Sequence, residues 1–234
     1  MRIPLASYGR RELVLGTLVC GGAGLLCVIA FRDLPLLFWP VVAVIGAFWV
    51  FLLAFFRDPA RSCPGGERQV LSPADGTVAE LSEVEEPPYL DQPALKVGIF
   101  MSIFNCHVNR APVSGIVRYL ESRQGAFYDA RRPESSEENT RKEVGLERED
   151  GSRVLVTLIV GAVARRIVCT VKKGDRLDRG QRLGMIKFGS RVEVYLPRDR
   201  VKDVLVKRGE KVKAGLDLVA ELREPDPEEN QGSS

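Results

Sequence analysis

The stretch Met185-Ile-Lys-Phe-Gly-Ser-Arg-Val-Glu-Val-Tyr-Leu-Pro197 indicates the fold class most directly. β-Branched and aromatic residues recur at period two on both sides of its centre, which predicts two β-strands. Gly189 and Ser190 lie between them. Glycine adopts backbone conformations that other residues resist, and a strained turn would bring the Ser190 hydroxyl against the Gly189 carbonyl. Most such pairs are plain turns, so the dipeptide alone leaves self-cleavage open.

Two uncharged apolar segments, residues 13–31 and 34–56, precede this region. Each is long enough to cross a hydrocarbon core of about 30 Å as a helix, and only Arg32 and Asp33 separate them. We therefore predict a tight helical hairpin. Basic residues flank both of its open ends, which predicts a cell-membrane protein with both ends on the cytoplasmic face.

Glycines in the first apolar segment predict close packing against the second helix. They are Gly16, Gly21, Gly22 and Gly24. A monotopic hairpin, which enters the membrane without crossing it, stays open because Pro35 and Pro40 interrupt the second segment.

Composition excludes several classes of protein. The chain has 234 residues and a net charge of +3, too small to indicate nucleic-acid binding. Its five cysteines have neither the spacing of a metal site nor that of a disulfide framework. We expect a reducing, cytoplasmic setting and no metal.

The chain divides into five parts. Residues 1–12 are an N-terminal cytoplasmic segment and residues 13–56 the hairpin. A linker containing proline and glycine, 57–68, leads to a β domain over 69–222. The acidic residues 223–234 predict a disordered tail.

Short strands separated by turn residues fill the β domain. They are expected at 70–78 (with a turn at Asp75-Gly76), 95–104, 116–120, 154–160 and 163–171. The polar stretch 122–141 predicts a long surface loop of the kind that serves as an active-site lid.

The segment 171–185 is repeated at 206–220, with the shared form V-K-x-G-(acid)-x-(apolar)-x-x-G. Duplicated short strands with glycine turns predict a β-sandwich or flattened barrel like that of lipoyl and biotinyl carrier domains. The fold class is therefore mainly β, preceded by a two-helix membrane hairpin.

One histidine, His107, is the only side chain whose ordinary pKa is near neutrality. A core or surface histidine with a satisfied hydrogen bond is the plain alternative. Asp75 is explained equally well as a turn former. If Asp75 orients His107, and His107 activates Ser190, the three form a triad, but sequence spacing does not test this.

The chain resembles the phosphatidylserine decarboxylase proenzymes, in their short bacterial and archaeal form. The resemblance covers roughly residues 50–222 and rests on motifs that occur in the family's order. They are Phe55-Phe-Arg-Asp-Pro59, Pro73-Ala-Asp-Gly76, Phe100-Met-Ser-Ile-Phe-Asn-Cys-His-Val-Asn-Arg-Ala-Pro-Val-Ser-Gly115, Gly161-Ala-Val-Ala-Arg-Arg-Ile-Val-Cys169, Phe188-Gly-Ser190 and Gly209-Glu-Lys-Val-Lys-Ala-Gly215.

The resemblance implies self-processing. His107, held by Asp75, would deprotonate Ser190, whose oxygen attacks the Gly189 carbonyl. Elimination then breaks the ester, and the new chain start loses ammonia to become a pyruvoyl group. A β chain (1–189) and an α chain (190–234) result, with the cofactor made from the protein itself.

The resemblance also implies the reaction of the mature enzyme. The pyruvoyl ketone forms a Schiff base with the serine headgroup of phosphatidylserine in the membrane. Loss of CO2 is followed by protonation, for which His107 is the candidate, and phosphatidylethanolamine is released. Some relatives have a second histidine where Arg110 stands here, so one histidine would serve both stages.

Two further residues are candidates for the site, Arg110 as a departure from the family pattern and Asn139 as a match to it. Arg110 would bind the carboxylate or phosphate of the headgroup, with a surface ion pair as the plain alternative. Asn139 lies at a family position in the long loop, and no specific role follows for it from the sequence.

Two other functions stay open. Archaetidylserine presents the same phosphoserine headgroup and would serve as substrate equally well. A membrane-tethered carrier with a lipoyl-like fold would be modified on Lys187, although Ile186 and Phe188 lack the Met-Lys-Met character of a biotinyl tip. A homo-oligomer is compatible with the sequence.

Overall fold

The computed structural model describes residues 5–132, 134–162, 166–187 and 189–224. It divides into two compact units, Met1–Ala60 and Arg61–Ser234. The first is helical, and the regular structure of the second is mainly β-strand. The predicted fold class, mainly β with an N-terminal two-helix apolar hairpin, is confirmed.

The first unit is a hairpin of α1, Arg10–Phe31, and α2, Pro35–Phe55. A short 3-10 helix, Ser7–Gly9, leads into α1. By length and composition both helices could cross a membrane. Most of their large apolar side chains are exposed, which suits a lipid environment better than water.

Packing within the hairpin differs in two ways from the sequence-based expectation. Only Gly16, among the four glycines of α1, faces the partner helix: a Cβ there would lie 2.4 Å from the Leu52 side chain, whereas one at Gly21, Gly22 or Gly24 would meet nothing within 4 Å. The prolines do not interrupt α2 either. Pro35 is its first residue, where the missing N–H costs nothing, and Pro40 lies inside it.

Fourteen strands form the second unit within the described residues. They are β1 Gln69–Leu71, β2 Gly76–Val84, β3 Ala94–Met101, β4 Val108–Arg110, β5 Gly115–Arg123, β6 Arg141–Glu147, β7 Arg153–Val160, β8 Arg166–Cys169, β9 Arg176–Leu177, β10 Arg182–Lys187, β11 Ser190–Pro197, β12 Val201–Val204, β13 Lys211–Val212 and β14 Leu218–Leu222. A four-residue helix, α3 Ser135–Glu138, lies between β5 and β6.

The strands form three sheets. The largest has eight strands in the order β13-β2-β3-β11-β7-β6-β5-β9 and curls into a half-barrel. Two three-stranded sheets, β1-β14-β12 and β4-β10-β8, complete the unit. The core lies on the inner face of the curled sheet, where alternate residues of each strand are buried; Val192, Val194 and Leu196 represent β11 there.

The repeat seen in the sequence organises this architecture. The first copy contributes β9 and β10, and the second contributes β13 and β14. β9 and β13 form the two opposite ends of the large sheet, while β10 and β14 are the central strands of the two small sheets. Gly174 and Gly209 occupy equivalent turns with φ of +96° and +90°, a conformation that favours glycine.

Several strand boundaries differ from those expected. The strand expected at 95–104 ends at Met101, and the one expected at 116–120 extends over Gly115–Arg123. The polar stretch 122–141 is therefore only partly a loop: it contains α3 and leads into β6, which the sequence pattern missed. Of the strand expected at 163–171, β8 is observed, and residues 163–165 lie outside the described residues, as do 225–234 of the acidic tail.

Truncating the core should destabilise the β unit specifically. Leu158 is fully buried in the core cluster, so Leu158→Ala should lower the free energy of unfolding by about 2–5 kcal/mol. Leu205→Ala, at a residue 41% exposed, is the matched control and should change it by less than about 0.5 kcal/mol. Denaturant unfolding of the full chain measures both, and equal effects would contradict this assignment of the core.

Candidate active site

Strand register brings the ends of four neighbouring strands together at one end of the large sheet. Ser190, the first residue of β11, is paired with Met101 at the end of β3 and with Val160 at the end of β7. On the far side of β3, Phe100 is paired with Thr77 near the start of β2. The segment containing Gly189 and Ser190 is therefore flanked on both sides by strand ends.

The backbone around Gly189 is closely packed. Gly189 has a φ of +65°, in the left-handed region that favours glycine. Its carbonyl oxygen lies against Gly161, where an added Cβ would come within 2.6 Å of that oxygen and 3.2 Å of the Ala130 Cβ. Gly161 thus permits a close approach that any larger residue would obstruct.

The Ser190 side chain is fully buried on the inner face of the sheet. Its Oγ donates a hydrogen bond to the Met101 sulfur, at 3.3 Å. A thioether is a weak acceptor, so this bond holds the hydroxyl only loosely.

The same sulfur accepts a hydrogen bond from Asn109 Nδ2, at 3.5 Å. Asn109 is also fully buried, and its Oδ1 has no hydrogen-bond partner among the described residues. A buried carbonyl oxygen of this kind is costly and is typical of functional sites.

His107 directly precedes β4, whose Val108 is paired with Met185 of β10. Its ring is fully buried, and Nδ1 lies 3.0 Å from the Asn105 carbonyl oxygen. A carbonyl can only accept, so Nδ1 carries the proton, and in the neutral ring Nε2 is the basic nitrogen. The loop that holds His107 is itself fixed by Asn105, whose Oδ1 accepts from the Ser102 N–H at 2.8 Å.

Asp75 precedes β2 and is 7% exposed. Arg61 binds it in two-pronged fashion, with Nη1 2.5 Å from Oδ1 and Nη2 2.9 Å from Oδ2. The Ala214 N–H donates to Oδ1 at 2.8 Å. Within the described part of the chain these are the groups that hold the Asp75 carboxylate, while the Asn105 carbonyl orients His107.

Comparison with known proteins supports one family. A sequence model described as phosphatidylserine decarboxylase matches residues 48–220. A phosphatidylserine decarboxylase proenzyme of Carboxydothermus hydrogenoformans is 45% identical over 203 residues, covering 80% of this chain and 94% of that protein. Proteins of the same name from Ralstonia nicotianae (48% over 178 residues, 75% and 81%) and Syntrophus aciditrophicus (40% over 209 residues, 89% and 95%) are also similar. The chain belongs to the phosphatidylserine decarboxylase family.

The position of Lys187 tests the alternative of a carrier domain. Lys187, the residue that a carrier would modify, is 7% exposed at the end of β10. A modified lysine must reach solvent at a hairpin tip, so burial of Lys187 and the family match do not favour the carrier interpretation.

Arg110 and Asn139, the two other residues expected at the site, are both buried. Arg110 Nη1 donates to the Gly180 carbonyl at 3.0 Å, and its Cδ packs against Gly215. The alternative of a surface ion pair for Arg110 is therefore wrong. Gly180 and Gly215 are equivalent glycines of the two repeats, so Arg110 packs where the repeats approach each other.

Asn139 fixes the loop between β5 and β6. Its Nδ2 donates to the Tyr128 carbonyl at 2.9 Å and to the Val160 carbonyl at 2.8 Å, and its Oδ1 accepts from the Tyr128 N–H at 2.8 Å. Since Val160 is paired with Ser190, Asn139 ties the loop to the site through the backbone.

Sequence reasoning missed three groups at the site. Arg61 is one of the basic residues that flank the hairpin, and the signal that could have found it is the run Arg57-Asp-Pro-Ala-Arg61, which overlaps a family motif. Met101 and Asn109 lie within the histidine motif, but on two different strands, β3 and β4, so no spacing rule within one strand selects them together. Nothing in the sequence indicated their shared contact.

Removing the Asn139 amide should release the loop without unfolding the sheet. Asn139→Ala deletes three hydrogen bonds, and the Tyr128 N–H loses its acceptor. Hydrogen exchange at the Tyr128 N–H should accelerate by roughly fivefold or more, since one such bond contributes about 1 kcal/mol. Thr140→Val, which removes only the bonds to Gly125, should leave Tyr128 exchange unchanged, and an equal acceleration would refute the assignment.

Proposed function

We propose that this decarboxylase cleaves its own chain between Gly189 and Ser190 and then converts phosphatidylserine into phosphatidylethanolamine and CO2. The observation that carries the proposal is the setting of this bond. A buried serine hydroxyl, which donates to the Met101 sulfur, follows a glycine in a left-handed conformation whose carbonyl faces Gly161. Nucleophile and target are thus adjacent residues at a constrained junction.

The first step is an acyl transfer within the chain. His107 Nε2 accepts the Ser190 hydroxyl proton while Oγ bonds to the Gly189 carbonyl carbon. The peptide C–N bond then breaks, and the nitrogen of residue 190 takes up the proton, which leaves an ester and a free amino group.

Elimination completes the cleavage. A base removes the α-proton of residue 190, and the Cβ–Oγ bond breaks with the electron pair going to oxygen. Gly189 becomes a carboxylate and residue 190 an enamine. One water molecule then releases ammonia and leaves a pyruvoyl group as the first residue of the α chain, 190–234, with the β chain ending at residue 189.

The residues around position 190 fit a pyruvoyl group there. Position 190 is fully buried at the start of β11, between the ends of β3 and β7. A pyruvoyl group supplies an electron-accepting carbonyl that lets an amino acid lose CO2. His107 is the candidate donor of the proton that replaces the carboxyl group on the substrate's α-carbon. Asp75, whose charge is paired with Arg61, precedes β2 at the same end of the strands, and we propose it as the partner of His107.

Arg110 and Asn139 remain candidates for binding the headgroup, Asn139 through the loop that it fixes. A guanidinium has five N–H donors, so the bond from Arg110 to Gly180 does not by itself prevent contact with a carboxylate or phosphate.

Two observations support a substrate within a membrane. Two helices are long and apolar enough to cross one, and the basic residues flanking them favour the cytoplasmic face of the cell membrane. In addition, three apolar or aromatic side chains are exposed on loops near Ser190. Ile103 lies in the loop after β3, and Phe127 and Tyr128 lie in the loop between β5 and β6. Archaetidylserine has the same headgroup, but the relatives are named for phosphatidylserine.

Replacing the nucleophile should abolish both cleavage and activity. Intact mass spectrometry of the purified wild-type chain should give two species, one ending at Gly189 and one beginning with a pyruvoyl group at position 190. Ser190→Ala, which lacks the attacking oxygen, should remain one chain and release no CO2 from phosphatidylserine. A wild-type protein that stays intact while active would refute self-processing.

Adding a methyl group at Gly161 should slow cleavage. The new Cβ would lie 2.6 Å from the Gly189 carbonyl oxygen, so Gly161→Ala must displace the carbonyl that Ser190 attacks. We expect the cleavage rate to fall by about 10- to 100-fold, because displacements near 1 Å have effects of that size. Gly66→Ala, where a Cβ meets nothing within 4 Å, should cleave at the wild-type rate; equal rates in both variants would contradict the role of Gly161.

A further inference from the structure

Four charged side chains lie together on the outer face of the large sheet, immediately after the proposed cleavage site. We call them the Arg191 cluster: Glu80 of β2, Lys96 of β3, and Arg191 and Glu193 of β11. Arg191 is 2% exposed and Glu193 fully buried. Side chains alternate across a strand, so Arg191 points to the face opposite the Ser190 hydroxyl.

Ion pairs link all four members. Arg191 Nε lies 2.6 Å from Glu193 Oε1, and Arg191 Nη2 also binds Glu80. Lys96 Nζ lies 2.7 Å from Glu80 Oε1 and 3.9 Å from Glu193 Oε1. The two positive and two negative charges balance within the cluster.

A glycine makes room for the guanidinium. Gly98 stands in the middle of β3, and a Cβ there would lie 2.6 Å from Arg191 Nη2. Glycine in a strand interior weakens the strand and usually marks a close approach. Here the group that approaches is the guanidinium of Arg191.

The surroundings stabilise the charged forms. Burial alone would lower the pKa of Arg191, but the carboxylates of Glu193 and Glu80 outweigh it and raise that pKa. Burial would raise the pKa of Glu80, yet Lys96, Ser82 and Arg191 hold it below its usual value. Removing one charged side chain from the Arg191 cluster is strongly unfavourable, because its ion-pair partner is then left with an uncompensated charge.

Cleavage between residues 189 and 190 would divide this cluster between two chains. Glu80 and Lys96 would belong to the β chain, whereas Arg191 and Glu193 would be the second and fourth residues of the α chain. Each chain then contributes one positive and one negative charge, and the pair from Arg191 to Glu80 crosses between them.

We propose that the Arg191 cluster holds residue 190 in the active site after the chain is cut, with Arg191 as the positioning residue. This inference rests on the proposed self-cleavage. A chain terminus frays unless it is tied down, and cleavage turns residue 190 into a terminus. To leave its place between β3 and β7, residue 190 would have to draw the adjacent guanidinium away from two carboxylates.

The cluster also contacts the loop between β5 and β6. Ser136, in α3, donates to Glu193 Oε1 at 2.6 Å, and the Tyr195 hydroxyl donates to Glu193 Oε2 at 2.6 Å. Burial and the Glu193 carboxylate raise the pKa of Tyr195, so it stays a donor. The proposed terminus of the α chain and the neighbouring loop are thus held by one carboxylate.

The chain offers a matched control for the test. Arg198 of the α chain segment pairs with Glu83 of the β chain segment at 2.6 Å, but these side chains are 48% and 67% exposed. Arg191→Met and Arg198→Met therefore remove the same charge from the same region, one from a buried interchain pair and one from an exposed pair. Exposed pairs contribute little.

The experiment measures cleavage by intact mass and then decarboxylation of phosphatidylserine vesicles per cleaved molecule. We expect Arg191→Met to lower kcat by about 10- to 100-fold, as for a misplaced reacting group, with a much smaller change in KM. Arg198→Met should stay within about twofold of the wild type. Equal kcat values in the two variants would overturn the proposal, whereas an uncut wild-type chain would instead refute self-cleavage.

A second measurement separates positioning from general stability. In the uncut Ser190→Ala chain, the peptide bond still holds residue 190, so Arg191→Met should lower the unfolding temperature less than it does in the cleaved protein. An equal decrease in both backgrounds would overturn the proposal. If Arg191→Met does not accumulate, Arg191→Lys takes its place in both backgrounds. Lysine keeps the charge but lacks the fork that binds Glu80 and Glu193 together, so we expect a smaller difference in the same direction.

Discussion

Strand β11 is hydrogen-bonded along both of its edges, to β3 on one side and to β7 on the other. Most of the active-site geometry depends on this pairing. It fixes residue 190 at the end of the strand and directs its side chain toward Met101. Gly189 lies outside the ladder, where a left-handed conformation is available. For the proposed reaction between adjacent residues, this pairing provides a rigid strand that begins at the proposed nucleophile.

The two faces of β11 have different tasks. Its inner residues, Ser190, Val192 and Val194, belong to the site and the core, while its outer residues, Arg191 and Glu193, form the buried ion pairs. Period-two alternation makes this separation possible, because one strand presents chemistry to one side and charge to the other. If the bond before residue 190 is cut as proposed, the contacts of this strand would still hold it, since they do not pass through that bond.

Charge pairing also accounts for the buried carboxylates elsewhere in the site. Asp75 is neutralised by Arg61 from the segment that follows the hairpin, and without a partner its charge would be expensive to bury. The two repeats add a further level of order. Their equivalent glycines, Gly180 and Gly215, both lie against Arg110, so the duplicated turns meet beside the strand that follows His107.

Much of this protein follows from the sequence alone. Unbroken apolar segments predict the two helices, because a backbone in lipid must satisfy its own hydrogen bonds. An apolar, largely β-branched run predicts the strand at 154–160, period-two alternation predicts strands on both sides of Gly189, and the V-K-x-G repeat predicts the duplicated turns. The motif around His107 and the Gly-Ser pair indicated the family. Local patterns are sufficient for these features because each depends on neighbouring residues.

Tertiary structure decided the remainder. The strand β6 was hidden because Arg141, Lys142 and Glu143 look polar, although Glu143 is buried in ion pairs with Arg141 and Arg123. Likewise, no local pattern predicts that Arg61 binds Asp75, that Gly161 faces the Gly189 carbonyl, or that Arg191 lies over Gly98. These contacts join residues far apart in the chain, and sheet register, a property of the whole fold, determines which of them meet.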